Sequence, residues 1–167
     1  TDKVPPTISA VAFTHPTDCD VTDGTITITA TSSAGNAIEY SVDGGSTYQS
    51  SNVFTGLDAT GNLYEIRVRN VGGTCVVSNP DVTLINKIRP IIDLVTAVDP
   101  TNCNANDGTI TIAATGASLE YSIDGGQNWF TNSGSFTGLG AGTYNVEVRN
   151  VDESCITTYP SNPVILS

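Results

Sequence analysis

The chain repeats itself. "YSVDGGSTYQ" at Tyr40–Gln49 returns as "YSIDGGQNWF" at Tyr121–Phe130. "DGTITI" at Asp23–Ile28 recurs at Asp107–Ile112, "FTGL" at Phe54–Leu57 recurs at Phe136–Leu139, and "VRNV" at Val68–Val71 recurs at Val148–Val151. The copies run from Val4 to Ile85 and from Arg89 to Ser167. A period of roughly eighty residues is too long for a solenoid unit that needs neighbours to bury its core, and suits a small domain copied in tandem. We therefore expect two domains, residues 1–86 and 87–167.

Domains of this size have marginal cores and often carry a covalent staple. The four cysteines fall one pair to each copy, at matching places: Cys19 answers to Cys103 and Cys75 to Cys155. The members of a pair lie too far apart for a CxxC redox or zinc motif. The expected pairing is Cys19–Cys75 and Cys103–Cys155, each stabilising by roughly 4 kcal/mol in the chain-entropy treatment. Such bonds belong to extracytoplasmic compartments. Four buried thiols are the alternative.

The formal net charge is -11. Nine acidic residues face three basic ones in Thr1–Asn86, and eight face three in Lys87–Ser167. Phosphate neutralisation needs Lys and Arg, so nucleic acid is not an expected partner. Anionic membranes are disfavoured on the same ground, and no stretch approaches the ~20 apolar residues of a spanning helix. With no methionine and no signal peptide, the sequence reads as a mature fragment or a piece of something larger.

Apolar residues alternate with polar ones. Ile26 and Ile28 are flanked by Thr25, Thr27 and Thr29, and Ile110 and Ile112 repeat the pattern. Tyr64, Ile66 and Val68 oppose Glu65, Arg67 and Arg69, and Tyr144, Val146 and Val148 follow suit. Period two with one polar face marks half-buried antiparallel strands. Each copy is therefore expected to be an all-β sandwich of six or seven strands. In the first copy these are Thr7–Thr14, Thr25–Thr31, Ala37–Asp43, Thr47–Thr55, Leu63–Asn70 and Cys75–Ile85, with "DGG" as a hairpin turn. A Cys19–Cys75 bond requires both loops to share one end. That holds only if Thr47–Thr55 is one bent strand and not two, since a full seven-strand immunoglobulin order separates them.

"GLGAGTYNVEV" resembles the tyrosine corner of fibronectin type III and immunoglobulin-like domains, with Tyr144 and Tyr64 in that place. More specifically, "PTNCNANDGTITI…YSIDGG…FTGLGAGTYNVEVRN…C" is similar to SprB-type repeats of large bacterial surface adhesins. The resemblance covers both copies. It departs at "IEYSVDGG" and "LEYSIDGG", where that family has a proline-containing strand, and at Thr74-Cys75 and Ser154-Cys155, where it has Gly-Cys. It implies two tandem immunoglobulin-like antiparallel β-sandwiches, secretion or surface display, and use as a spacer or adhesive unit. It implies no catalytic residue.

The residues offer little else for catalysis. His15 is the single histidine and sits in a loop before Pro16. Glu39 and Glu120 recur on separate domains, not across one cleft as a glycosidase requires. No enzyme activity is expected. Asp18, Asp20 and Asp23 could gather calcium, the one candidate cofactor. Ordinary turn chemistry is the competing reading, because the second copy has Asn102, Asn104 and Asn106 before Asp107. Asp43 and Asp124 read as turn residues. A three-residue DGG loop pairs Tyr40 with Tyr48 and Tyr121 with Trp129 and turns both aromatics to the core. A shorter loop exposes Tyr48, Trp129 and Phe130 as a stacking surface for sugar. The expected function is a non-catalytic stalk or adhesive segment of an extracellular protein. Its expected partners are neighbouring repeats of the same chain, and a surface polysaccharide or other extracellular ligand. The alternative is a carbohydrate-binding or accessory module pair of a secreted enzyme. The short, proline-bearing joint "LINKIRP" favours an end-to-end rod.

Overall fold

The computed structural model describes residues 4–33 and 35–167. Among these no helix occurs, and the chain divides into two compact units, Thr1–Asn86 and Lys87–Ser167. In the first, β1 (Thr7–Thr14), β2 (Gly24–Thr31) and β4 (Val53–Leu57) form one sheet in the order β1-β2-β4. The facing layer is β3 (Ile38–Ser41), β6 (Arg67–Asn70) and β7 (Thr74–Ser78) in the order β3-β6-β7, extended by β5 (Leu63–Tyr64) paired with β8 (Val82–Thr83). Every ladder is antiparallel.

The core lies between the layers. Ile26 and Ile28 of β2 are fully buried against Tyr40, Ile66, Val68, Val82 and Leu84. Thr25, Thr27 and Thr29, which alternate with them, are less buried, which is what the period-two pattern requires. Each fully buried isoleucine contributes about 1.5–3 kcal/mol.

The second unit repeats the plan. Its strands are β9 (Ile91–Val98), β10 (Gly108–Thr115), β11 (Leu119–Ser122), β12 (Ser135–Leu139), β13 (Gly142–Tyr144), β14 (Glu147–Asn150), β15 (Thr157–Thr158) and β16 (Val164–Leu166). They assemble as β12-β10-β9, β11-β14-β15 and β13-β16 around Ile110, Ile112, Tyr121, Phe136, Val146, Val148 and Leu166. Between β13 and β14 the backbone of Val146 leaves one partner strand for another. There the Asn162 side chain accepts from Val146 N and donates to Val146 O, each at 2.8 Å. One amide thus satisfies both groups of a buried residue that has moved off one strand.

Two expectations are corrected here. The segment Thr47–Thr55 is not one bent strand. Gln49 bridges back to Tyr40, the chain turns at Ser50–Asn52, and β4 then runs the other way beside β2. The second copy reverses likewise after Phe130, which bridges Tyr121. The extra pass changes the parity of the loops, and the cysteine pairing fails with it. Cys19 follows the end of β1. Cys75 lies beside the start of β1, where Asn70 donates to Val4 O at 3.0 Å. The two are separated by most of β1, an 8-residue strand, or about 26 Å at the usual rise. A disulfide tolerates a Cα separation of about 7 Å. Cys103 and Cys155 are separated in the same way, since Asn150 donates to Ile88 O ahead of β9 at 3.1 Å. Each unit thus holds the members of its expected pair apart, and the structure contains neither a Cys19–Cys75 nor a Cys103–Cys155 bond.

Odd parity also sets where the chain leaves. In the first unit Ile85 N donates to His15 Nδ1 at 3.1 Å, at the far end of β1. In the second, Ser167 N donates to Asp99 Oδ1 at 2.9 Å, just past the far end of β9. Each unit takes in the chain at one end and releases it at the other.

Candidate functional site

The turn that opens "SxDGG" is held by a buried hydroxyl. Ser41 is fully buried; its Oγ accepts from Gly45 N at 2.9 Å and donates to Asp43 Oδ1 at 2.7 Å. Asp43 then accepts from Thr47 N and Thr47 Oγ1. Those bonds from Thr47 hold the Asp43 carboxyl down to about 2. Ser122 and Asp124 repeat the arrangement, with Asn128 in the place of Thr47. For Asp124 burial pushes the pKa up, but the bonds from Asn128, Ser122 and Gln127 outweigh it and the net shift is downward.

This bonding lengthens the turn, so the register differs from the expected one. Tyr40 bridges Gln49, not Tyr48, and Tyr121 bridges Phe130, not Trp129. Tyr48 and Trp129 consequently leave the core and lie half-buried on the outer face. There the Arg69 guanidinium stands 3.6 Å over the Tyr48 ring and binds Glu39 at 2.9 Å. In the second unit Arg149 stands 4.4 Å over Trp129 and binds Glu120 at 2.8 Å. Gly45, at φ 94°, lies beneath the tyrosine: a Cβ there would come within 2.8 Å of Tyr48 Oη. Glu39 and Glu120 are thus each engaged by an arginine.

Phe130 sits at the mouth of a groove and is 47% exposed. Its ring meets Phe136 edge-on at 5.7 Å. The groove encloses about 570 Å³ between Ile123, Phe130, Phe136 and Tyr144, with Asp124, Gln127 and Asn145 as polar groups. One open ring with amides beside it is the chemistry that sugar faces stack on. In the first unit Gln49 replaces the ring, and its amide donates to Ser51 O and Val53 O.

Both corner tyrosines are tied down. Tyr64 Oη donates to Asp58 O, and Tyr144 Oη donates to Gly140 O, each at 2.9 Å. Burial and the Asp58 charge raise the Tyr64 pKa.

The acidic loop is organised by one residue in each copy. Asp23 accepts from Thr17 N at 2.9 Å and from the Thr17 hydroxyl, and Asp107 binds Thr101 in the same way. These bonds lower both carboxyl pKa values. Asp18 Oδ1 accepts from Cys19 N at 2.7 Å. Asp20 and Asn104 both have left-handed backbone, φ 61° and 66°. Asp and Asn share tolerance for that geometry, which accounts for their exchange between the copies. Asp18, Asp20 and Asp23 therefore occupy a loop whose geometry recurs where two of the three charges are absent. His15 is a loop residue packed near Phe13, its Nδ1 holding Ile85.

Sequence reasoning missed the arginines and the buried serines. The recurrence of "EYS" and "VRN" around each aromatic was the available signal, since residues 39 and 69 share an outer face in any register that buries Tyr40 and Val68.

No protein-family model matches the chain, and no curated protein matches it. Nine chains of solved structures do match. One is a C-terminal 282-residue fragment of intimin in complex with the intimin-binding domain of the translocated intimin receptor. The identity is 16% and the TM-score 0.46, over 96% of this chain and 64% of that one. The chain thus spans less than two thirds of the intimin fragment.

Proposed function

We propose that this chain is a non-catalytic structural and adhesive segment, a pair of stalk repeats from a secreted or cell-surface bacterial adhesin. The observation that carries this reading is the opposite-end path of the chain through each unit. A domain that receives the chain at one end and releases it at the other can be copied to gain length, whereas one that returns the chain to its starting end cannot without a long linker. The ordered motifs similar to SprB-type repeats support the same reading. So does the chemistry of the candidate side chains: Glu39, Glu120, Asp23, Asp107, Asp43, Asp124 and His15 all make bonds that hold turns and faces together. Among the described residues no helix is long and apolar enough to cross a membrane.

Small-angle scattering tests the proposal. Two domains of this size in an extended array have a radius of gyration of about 22 Å or more, against about 15 Å for one compact body of this length. A value near the compact figure overturns the stalk.

The Phe130 groove favours a second reading, a carbohydrate-binding role confined to the second repeat. Glycan binding that Phe130→Gln abolishes would establish it.

A further inference from the structure

We propose that the Phe130 groove of the second repeat takes a neutral pyranose ring of a polysaccharide and rejects acidic sugars. This rests on the carbohydrate-binding reading of that groove and names the sugar class. The two copies build the same backbone here. Asp43 bridges Glu65 as Asp124 bridges Asn145. Gly44 N donates to Glu65 O and Gly125 N to Asn145 O, each at 3.0 Å. Phe136 and Tyr144, which line the groove, answer to Phe54 and Tyr64.

On that common frame the side chains have diverged in one direction. Gln49 is replaced by Phe130, and Ser46 by Gln127. Leu63 is replaced by Thr143, and Glu65 by Asn145. All four replacements line the groove. In the first copy the Glu65 carboxylate stands over the turn, where a Cβ on Gly44 would collide with it. The second copy exchanges that charge for an amide and adds a ring, a second amide and a hydroxyl.

The ligand follows from these groups. The open Phe130 ring offers an apolar face. An amide offers two N–H donors and a carbonyl acceptor, and a hydroxyl both donates and accepts. The Asn145 side chain is exposed, and Gln127 Nε2 makes only a long bond of 3.3 Å to Asp124 O. A pyranose matches this set, with C–H groups on its face and hydroxyls around its edge. Acidic sugars fail on charge. Neither lysine nor arginine lines the groove, and its one charged group is Asp124. Asp124 Oδ1 already accepts from Ser122 Oγ, Gln127 N and Asn128 N, and Oδ2 accepts from Asn128 Nδ2. A sugar carboxylate would meet this fixed negative charge with no cation to offset it, in a chain of net charge -11.

The test titrates the full, isotope-labelled chain with neutral oligosaccharides of glucose, mannose, galactose and N-acetylglucosamine, and with oligogalacturonates and sialylated oligosaccharides. The side-chain amide resonances of Gln127 and Asn145 are followed. At least one neutral series should shift both, with the backbone resonances of Tyr40–Gln49 unmoved. The acidic series should bind about tenfold more weakly or not at all. Asn145→Glu restores the carboxylate of the first copy. It should weaken neutral binding about tenfold and leave the melting temperature unchanged. Ser46→Gln, Gln49→Phe, Leu63→Thr and Glu65→Asn together should create a second site in the first repeat. A folded variant of this kind that still binds at one site overturns the role of these residues. An acidic series that binds as tightly as the neutral ones, and is lost in Phe130→Gln, overturns the sugar class and leaves the carbohydrate-binding reading standing. If no series binds, both fall.

Discussion

The two repeats build the same reversal before β4 and β12 with different residues. In the first, Asn52 O accepts from Ile28 N at 2.9 Å, and the Asn52 side chain donates to Ile28 O at 3.0 Å. In the second, Gly134 O accepts from Ile112 N at 2.8 Å. Gly134 has φ 77°, and a Cβ on it would fall 2.1 Å from Ile112 O. One copy fixes the backbone with an amide side chain, the other by having no side chain at all. The fold demands the backbone bond to β2 or β10, and leaves its chemical means open.

That difference makes the repeats unequal targets. Gly134→Ala should destabilise the second unit by about 3 kcal/mol, because it combines a left-handed backbone with a collision against a carbonyl. Asn52→Ala should cost the first unit about 1 kcal/mol, one neutral hydrogen bond. Trp129 is the single tryptophan, so denaturation followed by its fluorescence reports the second unit, and circular dichroism reports both. Equal losses would show that the reversal is not built as described.

Phe130→Gln sharpens the contrast by giving the second copy the residue of the first. It removes the edge-on contact with Phe136, and the second unit should lose about 1 kcal/mol. An unchanged urea midpoint would mean that the ring contributes no packing.

The smallest expected effect is in acid. Bonds from Thr47 favour the ionised Asp43 carboxylate in the folded chain, with its pKa at about 2. An unfolded aspartate titrates near ~3.9. The resulting stability is fully present above that value and is lost as pH falls through about 2. Asp43→Asn should therefore flatten the fall in melting temperature between about pH 4 and pH 2. An unaltered slope would show that the bonds from Thr47 do not favour the charged form.

The strands were legible because a buried isoleucine every second residue leaves one arrangement per face. Ile26, Ile28, Ile66 and Val68 announce themselves in this way. The turn register was not, because two glycines permit several loop lengths, and the choice is made by the Ser41 hydroxyl bonding to Gly45 N. Such a bond has no periodic trace. The Tyr48 and Trp129 faces were misread for that reason alone. The cysteine pairs were misread through the reversal at Ser50–Asn52, where a few polar residues add a pass of the chain. An inference from parity is only as good as the shortest segment counted.

The path of the chain through each unit has a mechanical consequence. Pull on the two ends of either repeat, and the force runs parallel to β1 or β9. Bonds of an antiparallel ladder lie across the strands. The pull therefore shears the row joining β1 to β2 along its length, from Thr7 opposite Thr31 to Thr14 opposite Thr25, and its bonds share the load. Had the chain returned to its starting end, the same pull would peel the strands apart one bond after another.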